Sequence, residues 1–152
     1  TASPGPTPES LELQEKLEQF YQGLKRLFVF PDFRINIKHC GMENAFSDPN
    51  ITMCIELIQA LNDQGIPKAL GFFLFHELGH SLLRLWGWPG WDNEDMADEF
   101  ATVFLLMAQQ RHVALEAARW WAVQRSEEEA RAIKPRVVHV DQRNAIREPA
   151  LV

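Results

Sequence analysis

The feature that most constrains this chain is a His-Glu-Leu-Gly-His sequence at residues 76–80, set in an otherwise apolar run from residue 70 to residue 83. On a helix, His76 and His80 are four residues apart, so both imidazoles point from one face. Two imidazoles in that arrangement can occupy two positions of a tetrahedral zinc site. Glu77 would lie beside the vacant coordination position, where it can accept a proton from a metal-bound water. The alternative is a chance pair of buried histidines, which would still need polar partners.

A third protein ligand is expected from the acidic residues that follow this helix. Those residues are Asp92, Glu94, Asp95, Asp98 and Glu99. Glu94 and Asp98 are four apart in the next predicted helix and share a face. Glu94 can therefore reach the metal, while Asp98 accepts a hydrogen bond from the second nitrogen of a ligand histidine. The alternative is that these acids only complement the dipole of a helix N-terminus.

The pattern of the whole chain predicts an α+β fold, mainly helical, with a small N-terminal antiparallel sheet or hairpin over the helix that carries His76 and His80. Helices are expected from residue 8 to before Pro31, at 56–61, at 67–87, and from residue 92 or 93 onward to Trp121 with a break near residues 111 and 112. A strand at 33–38 and a hairpin with its turn at 47–50 complete the sheet. Residues 126–129 are expected to begin a further helix, and residues 137–140 to be extended.

Composition limits the function classes. A chain of 152 residues can form one domain with a sizeable core, and we expect residues 9–152 to form it. The net charge of −6 argues against a nucleic-acid partner. The longest apolar stretch is interrupted by charged and imidazole side chains, which argues against a transmembrane segment.

The first eight residues, rich in Pro, Ser and Thr, predict a flexible tether. Such a segment is what signal-peptide cleavage leaves, although an artificial chain boundary would look the same. We therefore expect a secreted or periplasmic protein that is free or tethered through this segment. Cys40 and Cys54 could form a disulfide in an oxidising compartment, but two cysteines leave both redox states open.

Together these residues resemble a known family. His76, Glu77 and His80 followed by Glu94 and Asp98 resemble the H-E-x-x-H…E-x-x-x-D pattern of gluzincins, the thermolysin-like class of zinc peptidases. The segments at 40–46, 94–101 and 139–144 are similar to a bacterial family labelled "putative metallopeptidase" that still carries a domain-of-unknown-function name.

The resemblance implies roles for four further residues. Asn44 and Ala45, which precede the hairpin turn, look like the edge strand that binds an extended peptide substrate. His139 resembles the gluzincin histidine that stabilises the oxyanion, and Arg143 would be a nearby cation contacting the substrate. The aromatic loop at 86–91 is expected to be a hydrophobic plug over the core, with substrate contact as the alternative.

The sequence therefore supports three hypotheses. The first is a zinc metallopeptidase that holds one Zn²⁺ through His76, His80 and Glu94, uses Glu77 as its general base, and acts on a peptide or protein substrate. The second is a catalytically inactive interaction module that retains the zinc site. The third is a structural α+β domain in which the histidine pair is incidental.

Overall fold

The computed structural model describes residues 8–132, apart from the side chains of residues 9, 10 and 129–132. Its elements are α1 (Pro8–Leu27), β1 (Ile35–Lys38), β2 (Ala45–Asp48), β3 (Asn50–Cys54), α2 (Ile55–Asp63), α3 (Leu70–Leu85), α4 (Glu94–Met107) and α5 (Arg111–Ala132). The fold is α+β and mainly helical, as the sequence predicts. None of the described helices is both long and apolar enough to cross a membrane.

The sheet contains three strands in the described chain, in the order β1-β3-β2. The hairpin prediction is confirmed, since β2 and β3 are antiparallel. Its turn is tighter than expected, because Asp48 already pairs with Asn50 and only Pro49 lies between them. The expectation of an antiparallel sheet is wrong for β1, which runs parallel to β3. The chain reverses direction between β1 and β2 and again at Pro49. Strand β3 therefore runs in the direction of β1 and lies between β1 and β2.

Helix α3 lies at the centre of the molecule, packed against β2, β3, α4 and α5. A 3₁₀ turn at Pro67–Ala69 leads into it. Gly87 follows its end with φ of 72°, a conformation in which glycine is favoured. A Cβ atom added to Gly79 would lie 3.2 Å from the Phe100 side chain, so the glycine allows α4 to approach α3 closely. This close packing brings the start of α4 to the histidine face of α3.

Helix α5 is longer than the sequence predicts. The expected break near residues 111 and 112 occurs just before them, where Gln109 has φ of 57°. No new helix begins at residues 126–129, because α5 continues through them to Ala132. Ser126 donates its hydroxyl hydrogen back to the Val123 carbonyl within the helix and does not cap a new one. The extended segment predicted at 137–140 lies outside the described residues.

Cys40 and Cys54 are joined by a disulfide. The sequence left their redox state open. The bond connects the segment that precedes β2 to the end of β3, and Cys54 itself is buried.

Candidate metal centre and its cleft

Three side chains converge at the junction of α3 and α4. His76 and His80, one turn apart on α3, have their Nε2 atoms 3.1 Å apart. Glu94, the first residue of α4, has Oε2 at 3.0 Å from His76 Nε2 and Oε1 at 3.6 Å from His80 Nε2. The structure thus brings together the three residues that the sequence singled out as ligands, in an arrangement that could hold a metal ion.

Each imidazole is oriented through its other nitrogen. The Nδ1 atom of His76 lies 2.8 Å from Asp98 Oδ1, and that of His80 lies 2.6 Å from the backbone oxygen of Trp91. A carbonyl oxygen can only accept a hydrogen bond, and so can an ionised carboxylate, so both Nδ1 atoms donate. Both Nε2 atoms then face the Glu94 carboxylate, at 3.0 Å for His76 and 3.6 Å for His80.

This donor set fits a metal ion. Tetrahedral zinc with bonds of about 2.0–2.1 Å separates its donor atoms by about 3.3 Å, close to the separations found here. Two Nε2 atoms and a carboxylate at these distances need a shared cation among them, either a proton or a metal ion. Nitrogen and oxygen donors in this combination suit zinc.

Glu77 lies in α3 beside His76 and lines the same cleft. Glu77 is only 8% exposed. Within the described residues, its carboxylate has no hydrogen-bond or ion-pair partner. Burial raises the pKa of this carboxyl, the nearby histidines lower it by a smaller effect, and Glu94 raises it further. Glu77 is therefore a carboxylate whose pKa lies closer to neutrality than that of an exposed glutamate, as a proton acceptor requires.

Local sequence explains why α4 presents Glu94 here. Residue 92 or 93 was expected to cap this helix, and Asn93 does so, because its side chain accepts a hydrogen bond from the Met96 backbone N–H. With the cap at Asn93, Glu94 and Asp98 occupy successive turns on the face toward α3. An acid in this first turn also complements the helix dipole.

The aromatic loop is divided between two environments. Trp86 and Trp88 are about half exposed, and Trp86 packs on Phe28 at the edge of the core, as expected for a plug. Trp91 lines the cleft, and its ring lies 4.7 Å from the Arg84 guanidinium carbon. The functional contribution that sequence reasoning missed is the Trp91 carbonyl, which orients His80.

A cleft of about 560 Å³ opens over the three converging side chains. One wall is the segment from Glu43 to Ser47, which includes Asn44 and Ala45. The facing wall includes four residues of α5, namely Trp120, Trp121, Gln124 and Glu128. The sequence did not single these four out, although their helical spacing places them on neighbouring rows of one helix.

Some histidines lie elsewhere. His39 contacts Glu56 and His112 is exposed, so neither belongs to the cleft. His139 and Arg143 lie outside the described residues.

One comparison with known proteins gives a match. A family model described as "Putative metallopeptidase", a domain of unknown function, matches residues 6–142. No curated protein matches the chain, and no solved structure does.

Proposed function

The chain belongs to this metallopeptidase family, and from that premise we propose that it is a zinc-dependent peptidase of the gluzincin type. The observation that carries the proposal is the convergence of His76, His80 and Glu94 directly beside the buried Glu77. A metal site needs only the first three residues. The unpartnered carboxylate in the adjoining cleft is what hydrolysis requires in addition.

His76, His80 and Glu94 would hold one zinc ion. Three protein ligands with an open position characterise catalytic zinc sites, whereas structural sites are closed by four. When bound, the ion would supply a Lewis acid for the peptide carbonyl and lower the pKa of a coordinated water. Asp98 and the Trp91 carbonyl hold the imidazoles in the tautomer that offers Nε2 to the ion.

Glu77 would act as the general base and then as the general acid. Its carboxylate would accept a proton from the attacking water and later donate it to the departing amine. Burial raises the pKa of the Glu77 carboxyl in the metal-free protein, and this makes it a stronger proton acceptor than an exposed glutamate.

The edge strand β2 would bind the substrate. Among the described strands, β2 pairs only with β3, and its residues line the cleft from Ala45 to Ser47. An extended peptide could add to this free edge through backbone hydrogen bonds, with Asn44 contributing its side chain. His139 and Arg143 remain part of the proposal as positive donors to the oxyanion and the substrate.

A secreted or periplasmic location is also proposed. The disulfide between Cys40 and Cys54 supports it, because such bonds persist mainly in oxidising compartments. Residues 1–8 would serve as a tether for a single domain formed by residues 9–152.

The test compares the wild type with Glu77→Gln, using Glu99→Gln as a matched control on the exposed side of α4. We expect stoichiometric zinc in all three proteins. Cleavage of a broad peptide library should fall by about 10²–10⁴-fold in Glu77→Gln only. Undiminished cleavage in that variant, or purified wild type without zinc affinity, would refute the proposal. Zinc binding without any cleavage by the wild type would support the inactive interaction module instead.

A further inference from the structure

The cleft contains more carboxylates than a zinc peptidase site uses. Glu77 and Glu94 have roles in the proposed reaction, but Glu43, Asp92 and Glu128 also line the cleft. No Lys or Arg side chain lines it among the described residues. Among the described residues, a divalent ion would offset two of these five negative charges and leave three, and the proposed contact of Arg143 with the substrate would still leave two.

The three additional acids come from three different parts of the fold. Glu43 precedes β2, Asp92 precedes α4, and Glu128 lies near the end of α5. All three are exposed, and within residues 8–128 none of them forms an ion pair with a lysine or an arginine. A cleft with one sign of charge on several walls concentrates its electric field and attracts ligands of the opposite sign.

Glu77 also indicates that a ligand enters this cleft. Glu77 lines the cleft, the residue is only 8% exposed, and its carboxylate has no hydrogen-bond or ion-pair partner among the described residues. Buried carboxylates are costly unless a hydrogen-bond donor or a positive group contacts them. His76, His80 and Glu94 do not supply that contact, so it is left to the attacking water proposed above and to a positive group of a bound substrate.

The α5 wall suits a long side chain with a positive end. Trp121 is 55% exposed and, with Gln124 and Glu128, lies along the side of α5 that lines the cleft. The aliphatic part of a lysine or arginine can pack on such an indole ring, while its charged end reaches a carboxylate one or two turns away.

We propose that the cleft selects peptides that carry a lysine or arginine side chain next to the cleaved bond. This inference rests on the proposed function, because it assigns a substrate class to that same site. The selecting residues are Glu43, Asp92 and Glu128, with Trp121 as the packing surface.

The first experiment measures hydrolysis by the full zinc-loaded chain. Blocked, internally quenched peptides are compared in pairs that differ only in arginine or its neutral isostere citrulline. We expect kcat/KM to favour arginine by about tenfold at low ionic strength, and the ratio to fall as salt rises to about 0.5 M. Glu128→Gln and Glu43→Gln should each lower the ratio, while Glu99→Gln should leave it unchanged. Equal rates for arginine and citrulline would overturn the inference and leave the peptidase proposal intact.

The second experiment needs no turnover. Peptidyl hydroxamates, which chelate zinc, are prepared with arginine or citrulline on the amino side or the carboxyl side of the chelating group. Tighter binding of either arginine compound would support the inference. A failure to cleave any peptide would refute only the peptidase proposal. Equal affinities within both pairs would overturn the inference. Blocked termini ensure that the side chain, and not a free amino group, is the cation tested.

Discussion

The Nδ1 atom of His80 lies 2.6 Å from the backbone oxygen of Trp91. The other imidazole, His76, is oriented by a side chain, with Asp98 Oδ1 at 2.8 Å. The two histidines thus have contacts of different kinds, and only the one to Asp98 can be removed by substituting the acceptor. This asymmetry allows the orientation of one ligand to be tested while the other is kept.

Asp98→Ala should weaken metal binding by about 10–100-fold, because His76 loses the acceptor that fixes its tautomer and ring position. Competition with a chromophoric zinc chelator measures the affinity directly. Asp95→Ala is the matched control, since Asp95 is an exposed acid of the same helix and has no contact with either histidine. Equal zinc affinities for the two variants would show that the Asp98 contact does not support the site.

The sequence predicted the converging side chains because their positions depend on local geometry. Residues four apart on a helix share a face whatever the rest of the chain does, which applies to His76 and His80 and to Glu94 and Asp98. The sequence also restricted the cap of α4 to two residues, and Asn93 is the one that caps it. These predictions needed no knowledge of how the helices pack.

The features that the sequence did not predict depend on tertiary packing. A backbone carbonyl such as that of Trp91 has no residue-type signature, so its contact with His80 follows only from the path of the loop. The same holds for Glu128, which reaches the cleft because α5 packs beside α3. The parallel pairing of β1 likewise requires knowing that β3 enters between the other two strands.

Ser81→Ala should lower the free energy of unfolding by about 1–3 kcal/mol, because it removes two hydrogen bonds, to the half-buried Ser47 hydroxyl and Pro49 carbonyl, each worth about 0.5–1.5 kcal/mol. The Ser81 hydroxyl is fully buried, donates to the Pro49 carbonyl at 2.8 Å, and accepts from the Ser47 hydroxyl at 2.7 Å. These bonds fasten the hairpin turn to α3. Urea unfolding measures the change.

The Ser47→Ala variant should lower the free energy of unfolding by less than Ser81→Ala does, because it leaves the hydrogen bond from Ser81 to Pro49 in place. A double-mutant cycle with both variants should give non-additive energies. Strict additivity would mean that the two hydroxyls do not interact.

Gly79→Val should lower the free energy of unfolding by about 1–3 kcal/mol through overpacking. A Cβ at this position already lies 3.2 Å from Phe100, and the two Cγ atoms of valine would extend farther into α4. Because α4 carries Glu94, zinc affinity should fall as well. Thermal unfolding and chelator competition measure the two effects.

Gly23→Ala is the matched control for this substitution. Gly23 lies inside α1 with no atom within 4 Å of an added Cβ, so the variant should be more stable by about 0.5–1 kcal/mol through helix propensity alone. If Gly79→Val were as stable as wild type, the close approach of α4 to α3 would not depend on the glycine.

The free energy of unfolding should depend on pH in the acidic range through Glu56, whose carboxylate accepts hydrogen bonds from the backbone beside the disulfide. The backbone N–H of Cys40, at 3.0 Å, contributes most to lowering the pKa of this carboxyl from 4.5 to about 2. The N–H groups of Glu56 and Gly41, and the His39 ring, lower it further. A carboxyl with a depressed pKa in the folded state stabilises the protein above its unfolded value, and this contribution is lost as pH falls toward the folded value.

The stability difference between wild type and Glu56→Gln should therefore be largest near about pH 6 and narrow as pH falls below about 4.5. Urea unfolding at a series of pH values measures it. Asp63→Asn is the control for general charge effects, since Asp63 is an exposed acid at the end of the same helix. The change in the stability difference from about pH 6 to about pH 3 is compared between the two variants, and it should be larger for Glu56→Gln. A difference for Glu56→Gln that stays constant from about pH 6 to about pH 3 would mean that the backbone N–H groups of Cys40 and Gly41 do not hold the carboxylate in its charged form.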